Sequence, residues 1–170
     1  MPIVYDKLKA LQIPDVVQHY TGKDAILYAL GIGLGHDPTN DDELAFVYEK
    51  NLKILPTFAA VLAWPGFWAR DLDTGIDWVK LVAGEQGLVL HGPLPTHGRM
   101  LGRMRITEII DKGPGKGALV YSERIVTDQA SGQKVATVTQ TTYCRGDGGD
   151  RKSTRLNSSH IQKSRMPSSA

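Results

Sequence analysis

The residues able to do acid–base, nucleophilic or metal chemistry are few and scattered along the chain. His19, His36, His91, His97 and His160 stand at no metal-binding spacing, and the first four read as surface or turn histidines. Cys144 has no paired base in view, which argues against a nucleophile. Gly31-x-Gly33-x-Gly35 has the look of a dinucleotide loop, but it closes a helical segment instead of following a strand. Lys112 lies in Asp111-Lys112-Gly113-Pro114-Gly115, where it is either an exposed turn lysine or a point charge for a phosphate. Glu85 and Gln86 sit on a presumed strand and read as structural. Trp64, Phe67, Trp68 and Trp78 suit core and interface packing better than a stacking platform. Arg145-Gly146-Asp147 matches an adhesion tripeptide by chance in a glycine-rich stretch. No catalytic constellation and no metal set emerges.

The elements that would position these residues are legible in the periodicity. Pro14 to Tyr20 is extended. Thr21-Gly22-Lys23-Asp24 reads as a turn and cap before a short helix carrying Ala25, Ile26, Tyr28, Ala29 and Leu30, which Gly31, Gly33 and Gly35 end. Leu44 to Tyr48 is strand-like, and Thr57 to Ala63 suits a helix with Pro56 just before its start. Trp64 to Trp78, rich in aromatics, Gly and Asp, reads as an irregular covering segment. From Val79 the period becomes two. Leu81 to His91, Gly98 to Ile110, Gly117 to Thr127 and Lys134 to Cys144 are strand-length runs rich in Val, Ile, Thr and Leu. Pro93-Leu94-Pro95, Asp111 to Gly115 and Gln129-Ala130-Ser131-Gly132 separate them with turn chemistry suited to hairpins. Helices first and antiparallel strands after predict an α+β domain, a curved sheet wrapped around a short helix.

Composition sets the outer bounds. The chain has 170 residues, 41% of them apolar, enough for one domain with a core. One cysteine rules out an internal disulfide and suits a reducing compartment. No run of eighteen apolar residues exists, so no spanning helix is expected, and the N-terminus lacks the pattern of a signal peptide. The last 21 residues break from the rest, with six serines, five Lys/Arg and a single Asp. Composition reads residues 150–170 as a disordered basic tail. Asp150 to His160 is also what a common sequencing-library adapter encodes, and Ser164 to Ala170 matches that adapter's far end. The tail is therefore expected to be translated adapter. Taking its five Lys/Arg and one Asp from the chain's 20 and 18 leaves 15 and 17, so the net charge falls from +2 to −2. The basicity was the tail, and no nucleic-acid or membrane partner is expected.

Several stretches in one order resemble the N-terminal half of hydratase 2, the MaoC-like dehydratase of peroxisomal type 2 multifunctional enzymes and their bacterial relatives. They are Lys23 to Gly33, Phe46-Val47-Tyr48-Glu49, Leu55-Pro56-Thr57-Phe58, Ala83-Gly84-Glu85-Gln86, Pro93-Leu94-Pro95 with Gly98, Asp111-Lys112-Gly113 with Gly115, and Arg145-Gly146-Asp147-Gly148-Gly149. The resemblance implies a hot-dog fold over residues 1–149, the first half of a double hot-dog. At Gly149 the family continues with Phe-Gly-Gly, a linker and a second hot-dog domain, where this chain meets the adapter-like tail.

The resemblance further implies an (R)-specific trans-2-enoyl-CoA hydratase giving (3R)-3-hydroxyacyl-CoA, in fatty-acid or sterol side-chain β-oxidation. The acid and base that family uses belong to an Asp-x-Asn-Pro-x-His motif in the second domain. None occurs here, and His36-Asp37-Pro38-Thr39-Asn40 has the wrong order. This half is then expected to bind acyl-CoA without catalysis. Phe58, Leu62, Trp64 and Phe67 would line an acyl tunnel, while Ala83, Gly84 and Lys112 fall where the family touches coenzyme A. Ala83 departs from the family, which usually has His there. No cofactor is implied, since the coenzyme A thioester is substrate. The partners implied are the missing catalytic half or a separate catalytic hot-dog subunit, with a homodimer when intact. The setting is a bacterial cytosol, or the peroxisome of a eukaryote. An apolar face prepared for the second half would make the isolated chain self-associate. Two other readings are a stand-alone non-catalytic hot-dog subunit and a hot-dog acyl-CoA thioesterase. The second lacks a carboxylate placed where a strand meets a long central helix.

Overall fold

The computed structural model describes residues 3–149; the tail at 150–170, with its expected adapter origin, lies outside the described residues. The order of elements is α1 (Tyr5–Lys9), β1 (Val16–Tyr20), α2 (Gly22–Gly31), α3 (Asp41–Val47), a 3-10 turn at Pro56–Ala60, α4 (Trp68–Asp71), a second 3-10 turn at Trp78–Lys80, then β2 (Leu81–Leu90), β3 (Gly98–Asp111), β4 (Ala118–Asp128) and β5 (Lys134–Cys144). The five strands form one antiparallel sheet in the order β1-β3-β4-β5-β2. This is the α+β hot-dog arrangement expected, and the four long strands stand within a residue of their predicted bounds.

Three expectations need correction. Leu44 to Tyr48 is not a strand but the end of α3. Its apolar residues suggested a strand, yet the cap decides the matter. The Asn40 side chain accepts from the backbone N–H of Asp42 and Glu43, and Asp41, Asp42 and Glu43 set negative charge at the positive end of the helix dipole. The helix expected over Thr57 to Ala63 is a 3-10 turn closed by Ala60, with Pro56 as its first residue. The segment Pro93-Leu94-Pro95 is no hairpin either. It carries the chain from β2 at one edge of the sheet across to β3 beside β1. The turns after β3 and β4 do close hairpins.

Inward and outward faces follow from strict alternation on β4, where Ala118, Val120, Ser122, Arg124 and Val126 are buried and their neighbours are half-exposed. Two apolar clusters sit on the inward face. One gathers Leu8, Ile13, Trp68, Ile76, Ile109 and Val120 under α1 and α4. The other gathers Tyr20, Ala25, Phe58, Leu62, Met100 and Val126 under α2 and the first 3-10 turn. Each large aliphatic side chain so buried contributes roughly 1.5–3 kcal/mol. Among the described residues no helix is long and apolar enough to cross a membrane.

Candidate functional site

Between the clusters, the inward face turns polar. Ser122 of β4, Gln140 of β5 and Gln86 of β2 stand in register across three strands, and Arg124 follows Ser122 on the same face. The covering segment lifts off the sheet here and leaves a groove. One stretch, about 290 Å³, runs between Trp64, Phe67 and Trp68 above and Ala83, Gln140 and Thr142 below. It continues past Trp64 and Gln140 into a second stretch of about 250 Å³, bounded by Val61, Gln86, Arg124 and Val138. Trp64 roofs both and is half exposed, while Phe67 is braced edge-to-face on Trp78 at 5.9 Å between ring centres.

A hollow of about 690 Å³ lies on the outward face, over Thr107, Tyr121, Glu123 and Thr139. Within it the Thr139 hydroxyl sits against Gly87, where a Cβ would stand 2.5 Å from Oγ1. An open sheet face offers a ligand little burial, so the groove beneath the aromatic segment is the stronger site.

Ala83 and Gly84 lie on β2, the exposed edge strand, at a register shift between Ala83 and Glu85. Ala83 forms part of the groove floor. Gly84 lies close over β5, where a Cβ would stand 3.1 Å from the Thr141 carbonyl oxygen. Lys112 projects from the β3–β4 turn, its Nζ 5.0 Å from the centre of the Tyr143 ring. Tyr143 pairs with Val82 across the ladder, so Lys112 stands at the same end of the sheet as Ala83 and Gly84. It does not share their hollow: Tyr143 belongs to the outward face and Ala83 to the inward one.

Of the four residues expected to line a tunnel, Trp64 and Phe67 border the groove. Phe58 and Leu62 do not. They are 4% and 0% exposed, with Phe58 wedged between the rings of Tyr20 and Tyr28. Arg124 and Gln140 escaped the sequence reading. The signal was present in β4, where a charged residue occupies an inward step of an otherwise regular alternation.

The remaining candidates have structural explanations. Asp37 accepts from Thr39 N at 2.8 Å and Asn40 caps α3, so His36 to Asn40 builds a helix entry. Gly33 and Gly35 have φ of 98° and 78° and end α2, as the helix-stop reading required. Cys144 is fully buried, and desolvation pushes its thiol up to about 12, the opposite of an activated nucleophile. Asp147 of the adhesion-like tripeptide is 1% exposed and accepts from Asp77 N, out of reach of a receptor. No cluster of metal ligands occurs among the described residues.

Chemically, the groove can hold an elongated, mostly apolar ligand and offer it amide and guanidinium donors. Among the described residues that line it, none is a carboxylate, a histidine or a cysteine.

Residues 18–146 match the family model of the MFE-2 hydratase 2 N-terminal domain. The chain is 37% identical over 134 residues to 3-hydroxyacyl-thioester dehydratase Y of Mycobacterium tuberculosis, covering 76% of this chain and 44% of that protein. It is 31% identical over 156 residues to the peroxisomal enoyl-CoA hydratase 2 of Arabidopsis thaliana, covering 85% of this chain and 48% of that one. Full-length peroxisomal multifunctional enzyme type 2 from Drosophila melanogaster superposes with a TM-score of 0.63 at 29% identity, over 82% of this chain and 24% of its own. The chain thus spans about half the length of the curated relatives it matches.

Proposed function

Because the chain belongs to the MFE-2 hydratase 2 N-terminal domain family, we propose that it is the acyl-CoA-binding, non-catalytic half of an (R)-specific trans-2-enoyl-CoA hydratase. Hydration adds water oxygen to C3 and a proton to C2. It needs a base that takes a proton from water and an acid that returns one to carbon. The observation that carries the reading is the largely apolar groove walled by Trp64, Phe67, Ala83 and Thr142, whose described lining offers amide and guanidinium donors and no acid–base pair. The acyl chain lies against the aromatic roof, and the acid and base come from a second hot-dog half.

The second half adds along β2. That strand is ten residues long with one edge unpaired among the described residues, and its Val89 and Leu90 are exposed. Free strand edges pair readily with another strand. The other edge strand, β1, has only five residues. In this reading Ala83 and Gly84 meet the thioester end of the ligand, where a close backbone approach is useful. Lys112 meets a phosphate of coenzyme A. The assembled double hot-dog forms a homodimer in a bacterial cytosol, a setting in which the unpaired, buried Cys144 stays reduced.

The test is to mix the full chain with trans-2-decenoyl-CoA and follow both binding and loss of the enoyl double bond. Binding with no turnover is expected, and turnover should appear only when a catalytic hot-dog half is added. Hydration by the chain alone would refute the non-catalytic reading.

A further inference from the structure

Arg124 has no counter-charge among the described residues. It projects inward from β4, is 4% exposed, and has the apolar Met104 and Val138 opposite it on the adjoining strands. One Nη2 hydrogen bond goes to the Ala60 carbonyl at the end of the first 3-10 turn. The Nε–H is buried with no acceptor. Among the described residues no carboxylate pairs with this guanidinium, and burial draws its pKa down to about 10 with no opposing charge to hold it up. A buried cation without an anion is costly to a folded protein, and the usual remedies are a partner charge or full hydrogen bonding. Arg124 has neither, and it borders the inner stretch of the groove beside Gln86 and Gln140, whose amides supply further N–H donors.

We propose, resting on the acyl-binding reading above, that Arg124 receives a carboxylate carried by the acyl chain. The ligand class is an acyl thioester whose chain bears a second, free carboxylate distant from the thioester. A plain alkyl end would leave the guanidinium uncompensated, whereas a carboxylate matches its planar fork. The position of Arg124 argues for a ligand over a protein side chain. β4 lies two strands in from the β2 edge, about 10 Å at ordinary strand spacing, and Val61 and Trp64 cover the way in. A chain docking on that edge would have to push a side chain beneath the covering segment. A slender acyl chain entering at Ala83 and passing under Trp64 arrives at Arg124 directly.

The experiment titrates the full chain with dodecanoyl-CoA and with the coenzyme A monothioester of dodecanedioic acid, read by calorimetry and by tryptophan fluorescence, to which Trp64 and Trp68 of the groove contribute. The carboxylated thioester should bind about tenfold more tightly. Arg124→Gln should erase that preference, bringing the two thioesters to equal affinity. Arg124→Met, which removes the uncompensated charge, should raise the melting temperature of the ligand-free chain. Equal binding of the two thioesters would overturn the proposal and leave the acyl-binding reading intact. Absence of binding by either would overturn both. Equal binding together with a stabilised Arg124→Met variant would point to an acidic side chain of a partner as the missing anion, and would also overturn it. A destabilised Arg124→Met variant that loses both thioesters alike would reduce Arg124 to a clamp on the Ala60 carbonyl, with the same consequence.

Discussion

Gly102 of β3 lies directly beneath Ala63. A Cβ at position 102 would fall on the Ala63 carbonyl oxygen and stand 2.9 Å from the Ala63 Cβ. This contact seats the covering segment on the sheet, helped by Gln18, whose side-chain oxygen accepts from Ala63 N at 2.6 Å. It also fixes Trp64, the next residue, as the roof of the groove. Ala63 has a φ of 49°, in the left-handed region, so the backbone is bent to make the approach.

Gly102→Ala should therefore lower stability by about 1–3 kcal/mol, because a methyl group there meets backbone that cannot yield. Thermal unfolding followed by circular dichroism checks this, and a melting point unchanged within a degree would contradict the packing described. Since the clash would lift Trp64, acyl-CoA affinity should fall in the same variant.

Asn40→Ala should cost about 1 kcal/mol and fray α3, since two backbone N–H groups lose their acceptor. Amide exchange at Asp42 and Glu43 should quicken more than exchange elsewhere. If the segment Leu44 to Tyr48 held its protection unaltered, the cap would not be what decides helix over strand.

Lys112→Ala should weaken coenzyme A thioesters about fivefold to tenfold and make their binding less sensitive to salt. Affinity for the same acyl group on a truncated, phosphate-free thioester should stay as it was. Equal losses for both ligands would mean that Lys112 acts through its stacking on Tyr143 and not through a phosphate.

Alkaline pH should destabilise the fold. The folded-state pKa of Cys144 is pushed up to about 12 by burial, and that of Tyr20 reaches about the same value. Both groups hold their protons more tightly folded than unfolded. Their contribution is complete below the unfolded thiol value of about 8.5 and is lost as pH rises toward 12. Cys144→Ala should flatten part of that decline in denaturant titrations between pH 8 and pH 11. Iodoacetamide should leave native Cys144 untouched at pH 8 and modify it in denaturant; rapid native labelling would contradict its burial.

Val89→Lys should suppress self-association of the chain by placing a charge on the β2 edge. Sedimentation velocity reads this directly. A wild-type chain that runs as a clean monomer would remove the reason for placing the second half there.

Much of the fold could be read along the chain because it rests on local rules. Alternation over Gly98 to Ile110 and Lys134 to Cys144 placed strands within a residue, and Thr21 with Asp24 marked the start of α2, where the carboxylate accepts from Thr21 N at 2.8 Å. The family's residues in order identified the hot-dog architecture. Local rules failed at Leu44 to Tyr48, where three acidic residues and one asparagine outweighed an apolar run. They failed again between β2 and β3, because turn chemistry says that a chain reverses and not which strand it joins.

The site itself was only partly legible. The resemblance singled out Ala83, Gly84 and Lys112, and only sheet pairing reveals that Ala83 and Lys112 stand on opposite faces of one end. The groove belongs to tertiary structure altogether. It depends on Gly102 admitting Ala63, on Trp64 being lifted over Gln140, and on Arg124 meeting no carboxylate among the described residues. Those relations join residues up to about eighty positions apart, and burial and charge compensation have no values until the chain has closed on itself.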